Sequence, residues 1–320
     1  MAMPIDASHD LRQIIRQTAE QPVAPVVRAL SDAVRARYGD AVQAILFYGS
    51  CLRSGDDRGG MVDLYVVVDS YRAAYRSWGP ALLNRVLPPN VFYLEVRAEE
   101  RAVRAKYAVL SLADLERGTS RRWFHSYLWG RFTQPTAVLY TRTPEAAERV
   151  VRALAGAVVT FLTRVVPCMA GPFTASELWI RGLSLSYRAE LRAERPGKLA
   201  GLYRASPRYY EEVTAAALPL LPFDVALDDQ HPPRYCARVS AARQVLCRGA
   251  WRIRSIQGKL LHLLRLLKGA FTFAGGLDYI LWKIERHTGV SVEVPPRLRA
   301  HPILAVCVLA WRLYRRGAFR

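Results

Sequence analysis

Ile45-Leu-Phe-Tyr-Gly-Ser50 and, beyond a Gly- and Asp-rich gap, Met61-Val-Asp-Leu-Tyr-Val-Val-Val-Asp69 decide how this chain is read. The apolar run 42–48 predicts a strand that stops at Gly49-Ser50. Residues 51–60 read as a loop. Residues 62–68 predict a second strand, apolar at nearly every position, as in a strand buried on both faces. A glycine at the end of a strand lets the backbone approach a ligand closely. Ser50 and neighbouring N–H groups can then meet phosphate oxygens. Strand side chains alternate, so positions 63, 65, 67 and 69 face one way. Asp63 is therefore a candidate metal carboxylate, suited to a hard cation such as Mg²⁺. Position 65 is Tyr, and Asp69 lies about 20 Å further along an extended strand, too far to share an ion. Glu95, in Phe92-Tyr-Leu-Glu-Val96 of a third strand, is the better second ligand, and Asp69 is expected to cap the following helix.

Working outward, 10–38 predicts one or two helices, 71–86 a helix ending before Pro88-Pro89, and 107–110 a short fourth strand. Ser111 is the expected N-cap of the next helix, and 136–140 is a fifth strand. Beyond Pro144 strands become rare. Helices are expected over 145–166, 174–193 and 207–217, a linker or surface loop over 219–233, a basic helix over 236–268, and a last helix over 302–316. The expected division is 1–143, 144–235 and 236–320. The fold class is α/β in the α+β sense, a mixed sheet followed by helices.

The chain of 320 residues carries 46 basic and 27 acidic side chains, a formal charge of +19, which points to an anionic partner. Apolar residues make up 51%, enough for a sizeable core. Cys51, Cys168, Cys236, Cys247 and Cys307 form no C-x-x-C pair, which argues against a zinc site or disulfide framework. The six histidines show no ligand spacing. No leader pattern and no apolar stretch near the ~20 residues of a spanning helix is read, so a cytoplasmic protein with peripheral membrane contact is expected. The segments 260–267 and 301–320 are apolar with basic flanks, suiting either burial or an interfacial helix.

Gly-Ser followed by a strand carboxylate is also the plan of polymerase-β-like nucleotidyltransferases. More specifically, the chain resembles the mitochondrial translocator-assembly-and-maintenance family of phosphatidate cytidylyltransferases. Tyr48-Gly-Ser50 resembles the family's Tyr-Gly-Ser-Gly, with Cys51 in place of the second Gly. Met61 to Asp69 is similar to its Met-Leu/Val-Asp-Phe-x-x-x-Val-Asp block, which also lacks a second carboxylate two residues on. Asn90-Val-Phe-Tyr93, Ala105-Lys-Tyr-Ala-Val-Leu-Ser111, Tyr127-Leu-Trp-Gly-Arg-Phe-Thr-Gln-Pro135, Ser186-Tyr-Arg-Ala-Glu-Leu-Arg192 and Leu267-Lys-Gly-Ala-Phe-Thr-Phe-Ala-Gly275 follow in the family's order. Glu95 stands where the family usually has Asn.

The resemblance implies a nucleotidyltransferase domain, a winged-helix-like helical domain, and transfer of a cytidylyl group from CTP to phosphatidate with Mg²⁺ at an anionic membrane surface. No nucleic-acid partner is expected, and a homo-oligomer is left open. Asp63 and Glu95 are the candidate metal ligands, with Asp69 a further catalytic candidate. Gly49, Ser50, Lys106 and Arg131 are candidates for the nucleotide phosphates. Glu190, Arg192, Lys198 and Lys268 are candidate contacts to lipid phosphate or CTP. Two rivals stand beside this reading: a nucleotidyltransferase acting on RNA, protein or a small molecule, and a non-catalytic basic binding module, which Tyr65 and Cys51 favour.

Overall fold

Apolar runs become strands and amphipathic runs become helices along most of this chain. The computed structural model describes residues 5–55, 60–98, 101–190, 196–228 and 233–272. Helices α1 (Ile5–Ala19) and α2 (Pro25–Tyr38) come first, then strand β1 (Val42–Tyr48), the short helix α3 (Ser50–Ser54) and β2 (Val62–Val68). Helices α4 (Tyr71–Ala74) and α5 (Trp78–Val86) lead to β3 (Asn90–Ala98) and β4 (Arg101–Ser111). Helices α6 (Leu112–Thr119) and α7 (Trp129–Phe132) precede β5 (Ala137–Thr141). The remainder is α8 (Pro144–Val165), α9 (Ala175–Arg188), α10 (Pro196–Arg204), α11 (Pro207–Ala217), the antiparallel pair β6 (Val225–Asp228) and β7 (Arg234–Ala237), and the long α12 (Ala241–Thr272).

The five-stranded sheet has the order β3-β4-β2-β1-β5. Only β2 and β4 run parallel; the other neighbours are antiparallel. The architecture is therefore mixed α and β, as expected. Strand β2 lies at the centre, and alternation sends its side chains into two cores. Tyr65 and Val67 join Leu46, Leu110 and the apolar faces of α8, α9 and α11. Leu64, Val66 and Val68 join Ile45, Phe47, Val109 and the Val26, Val27, Leu30 and Val34 stripe of α2. Burial on both faces is why the run 62–68 is apolar without alternation. Each fully buried Val or Leu contributes about 1.5–3 kcal/mol against the entropy of ordering the chain. The first core continues without a break from Leu46 and Tyr65 to Trp179 and Tyr210, so no gap in packing falls between residues 143 and 144.

Local signals explain several helix starts. The Ser111 hydroxyl accepts from the Asp114 N–H, and Thr143 does the same for Ala146 at the start of α8. Thr174 and Glu177 form a reciprocal capping box on α9.

The structure departs from the sequence reading in several places. The expected single helix over 71–86 is broken into α4 and α5, and Ser70, not Asp69, caps α4. The short fourth strand is eleven residues long, because pairing with β3 extends it through Arg104 and Val103. The loop after Ser50 begins as α3. The segment 219–233 contributes to the β6–β7 pair, whose alternation is masked by proline and by solvent on one side. Helix α10 falls between the expected helices 174–193 and 207–217, where no element is assigned from the sequence. One stretch, Pro144–Cys168, is long and apolar enough to cross a bilayer, contrary to expectation, but 72% of its apolar window is buried inside the protein. The expected helix over 302–316 lies outside the described residues.

Candidate active site

The site grows from the end of β1. Gly49 has φ 96°, a backbone that other residues adopt only with strain. A Cβ placed on it would lie 2.6 Å from Asp63 Oδ2. Gly49 is thus required twice, for its conformation and for its close approach to the carboxylate. Asp63 is the cross-strand neighbour of Tyr48 on β1 and of Lys106 on β4, and Lys106 in turn faces Tyr93 on β3. These four side chains form a row across one face of the sheet.

A cleft of about 200 Å³ opens at the Tyr48–Asp63 end of this row. Tyr48, Gly49, Ser50, Arg53 and Asp63 form one wall; Gly130, Arg131, Gln134, Ser186, Tyr187, Glu190 and Leu202 form the other. Close packing brings the second wall in. A Cβ on Gly130 would lie 2.1 Å from Ser186 Oγ, so only glycine lets α7 rest on α9 there. That contact sets Arg131 beside Glu190, two residues past the end of α9. The pair is 3.2 Å apart and both side chains are at most a tenth exposed.

Arg131 also donates to the hydroxyls of Tyr65, at 3.1 Å, and Tyr127, at 3.2 Å. Its guanidinium lies 4.3 Å from the Tyr127 ring centroid. Burial acts to lower its pKa, but the surrounding Tyr127, Tyr65, Tyr48 and Glu190 outweigh burial and hold it well above its ordinary value. Arg131 is a fixed cation in the cleft wall. Tyr65, two residues after Asp63 on the same strand face, is buried and serves as an anchor for this cation.

The candidate residues separate clearly. Gly49, Ser50, Asp63, Arg131 and Glu190 meet in the cleft, with Lys106 beside Asp63 on the next strand. Glu95 shares the sheet face of Asp63 but sits two strands away, roughly 10 Å in strand spacing alone. Its carboxylate accepts from Tyr93 Oη at 2.7 Å and Arg104 Nε at 2.9 Å, and it does not line the cleft. Asp69 is exposed at the opposite end of β2, its N–H bonded to Ala41 O. Lys268 is remote too. It is buried on α12 and donates to the carbonyls of Leu87 and Pro89; burial first, then Arg265, push its pKa down to about 7. Lys198 falls on α10, and Arg192 lies outside the described residues. Arg53 was missed: it sits one helical turn beyond Gly49, a position that an arginine after Gly-Ser could have flagged.

The donors in the cleft suit a hard cation that keeps much of its water. Among the described residues no group of three or more His, Cys, Asp or Glu side chains is gathered for a metal. Two carboxylates, Asp63 and Glu190, face the same space, a set that fits Mg²⁺ held together with substrate phosphates. Among the described residues no histidine lines the cleft. His125 Nδ1 accepts from the Tyr127 N–H at 3.2 Å, and burial, with Arg265, Arg254 and Arg131 nearby, pushes its pKa down to about 3.

A comparison with known protein families and with curated proteins finds no match to this chain.

Proposed function

We propose that the protein is a Mg²⁺-dependent nucleotidyltransferase of the phosphatidate cytidylyltransferase type, converting CTP and phosphatidate to CDP-diacylglycerol and pyrophosphate at an anionic membrane surface. The observation that carries this reading is the cleft in which Gly49 is pressed onto Asp63 while Ser50, Arg53 and Arg131 surround the same space. Its volume of about 200 Å³ suits a polyphosphate better than a whole enclosed nucleotide. Under this reading the sheet is a polymerase-β-like nucleotidyltransferase domain, and α9–α11 with the β6–β7 pair form the winged-helix-like unit.

The Gly49-Ser50 turn, Arg53 and Arg131 would bind phosphate oxygens, and Lys106 would add positive charge beside Asp63. Asp63 and Glu190 would hold Mg²⁺, which when bound neutralises phosphate charge in the transition state. A phosphatidate oxygen attacks the α-phosphorus of CTP, and the bond to the leaving pyrophosphate breaks, its electron pair departing with the pyrophosphate oxygen. The attacking phosphate is already ionised at neutral pH, so no strong general base is needed.

Membrane contact is supported by surface chemistry. On α12, Leu246, Ile253, Ile256, Leu260, Leu263 and Leu264 are exposed, and on α5 Trp78 and Val86 are nearly three-quarters exposed. Residues 241–272 contain no Asp or Glu. An apolar stripe with only basic charge suits the headgroup region of an acidic bilayer.

The test is pyrophosphate release from CTP with Mg²⁺ and phosphatidate-containing vesicles. Release should require phosphatidate, prefer CTP, and fall by at least about 100-fold in Asp63→Ala, since the metal-binding carboxylate acts in the transition state. No release with any lipid would remove the lipid assignment. CTP binding that persists without it would then favour another acceptor, and absence of CTP binding would favour a non-catalytic module.

A further inference from the structure

Two of the cysteines, far apart in sequence, come together at the root of α12. Cys168 ends the 3-10 turn that follows α8, and Cys247 lies in the second turn of α12. Their sulfurs are 3.3 Å apart, with the Cys168 thiol directed at Cys247 Sγ. Cys247 Sγ donates to Arg164 O at 3.0 Å, and Trp251 Nε1, one turn on, donates to the same carbonyl at 2.8 Å. Both cysteines are only partly buried. The other described cysteines are placed differently: Cys51 is buried, with its thiol on Met61 O, and Cys236 is exposed on β7.

The surroundings make the pair unequal. The Cys168 thiol lowers the pKa of Cys247, as do the positive charges of Arg254, Arg164 and Arg243; burial opposes them. Cys168 is shifted up, first by its bond to Cys247 and then by burial. On losing the proton it shares with Arg164 O, Cys247 is disposed to be the thiolate while Cys168 keeps its proton, an asymmetry that favours dithiol oxidation.

We propose that Cys168 and Cys247 are a redox pair that closes into an intramolecular disulfide and staples α12 to the end of α8. With a peroxide as oxidant, the Cys247 thiolate attacks one peroxide oxygen and the O–O bond breaks, giving a sulfenic acid and hydroxide. Cys168 sulfur then attacks the sulfenic sulfur, the S–S bond forms and hydroxide leaves. Two thiols and one hydrogen peroxide become one disulfide and two waters, the two electrons passing from sulfur to oxygen. The staple reinforces contacts already made further along the helix. Gly258 lies so close to Ala189 O that a Cβ would come within 2.0 Å of it, and the Arg265 guanidinium sits 4.0 Å from the Tyr127 ring centroid. Oxidation therefore fixes a helix that rests on the residue before Glu190. The inference does not depend on the proposed reaction.

The experiment treats the full chain with a small excess of hydrogen peroxide in native buffer, alkylates remaining thiols in denaturant, and digests with trypsin. Peptides 165–181 and 244–248 should be recovered joined, with the protein lighter by the two hydrogens lost and two fewer alkylatable thiols. Thermal unfolding should shift upward, and a thiol reductant should reverse both changes. Cys168→Ser and Cys247→Ser should each abolish the link and the shift, while Cys236→Ser leaves both intact. Recovery of the two peptides separately, each alkylated, in protein that remains folded by circular dichroism would overturn the proposal. A link that forms only between chains through Cys236 would do the same.

Discussion

Arg131 and Arg254 are both buried guanidinium groups, and their surroundings could hardly differ more. Arg131 stands in the cleft wall with a carboxylate partner, Glu190, and two tyrosine hydroxyls. Arg254, on the buried side of α12, is 2% exposed, with its Nε donating to Phe124 O and its guanidinium near the rings of Phe124 and Trp251. Among the described residues its Nη1 has no hydrogen-bond partner. Burial, then the charge of Arg164, lower its pKa to about 10. The comparison separates two uses of one residue type. Arg131 is a polar joint whose removal takes the ion-pair partner from a buried carboxylate; Arg254 is largely packing, a cation kept on aromatic faces.

The strongest way to break the comparison is Arg131→Met. Breaking a buried pair from one side takes the Arg131 guanidinium from Glu190 and leaves the carboxylate to weaker partners such as the charge of Arg265, and the expected loss is about 3–5 kcal/mol in urea unfolding. Arg131→Met combined with Glu190→Leu should recover much of it. A loss below about 1 kcal/mol in the single variant would mean that the pair is not the joint described here.

His125 feels both arginines and offers an intermediate effect. Its folded pKa, about 3, lies below the ordinary value near 6.5. Between those values the unfolded chain binds a proton that the folded protein does not. Stability should therefore fall as pH drops from about 6.5 towards 3, by up to about 1.4 kcal/mol per pH unit from this group alone. His125→Gln, which can still accept from the Tyr127 N–H, should flatten that slope in acid unfolding curves. An unchanged slope would place the titrating group elsewhere.

The smallest effect is expected at Arg254→Met. Among the described residues no carboxylate is paired with it, and the loss is one described hydrogen bond and cation–aromatic contacts, about 1 kcal/mol after the desolvation of a buried charge is relieved. A loss as large as that of Arg131→Met would erase the distinction.

Much of the fold was legible because its signals are local. The run 62–68 announced a doubly buried central strand, Ser111 announced a cap, and 207–217 announced a helix that forms over those residues. What failed depended on partners. Strand β4 is long because β3 pairs with it through residues that read as polar and charged, and β6 and β7 have too little alternation to be seen alone. At the site, Gly49, Ser50 and Asp63 were visible as a strand end and a strand carboxylate. Glu95 was a reasonable candidate by face, since it does share the face of Asp63, but face says nothing of lateral distance. Arg104 and Tyr93 hold it two strands away.

By itself, then, the sequence determined which segments become strands and helices, since periodicity of burial and capping chemistry act over a few residues. It also determined that a glycine must sit where the backbone turns at residue 49. Only the tertiary structure decided that Glu190 and Asp63 line one cleft, that Tyr65 anchors Arg131, and that Cys168 meets Cys247. Those meetings join residues tens to more than a hundred positions apart. They depend on sub-ångström fits such as Gly130 on Ser186 and Gly258 on Ala189, which no local pattern encodes.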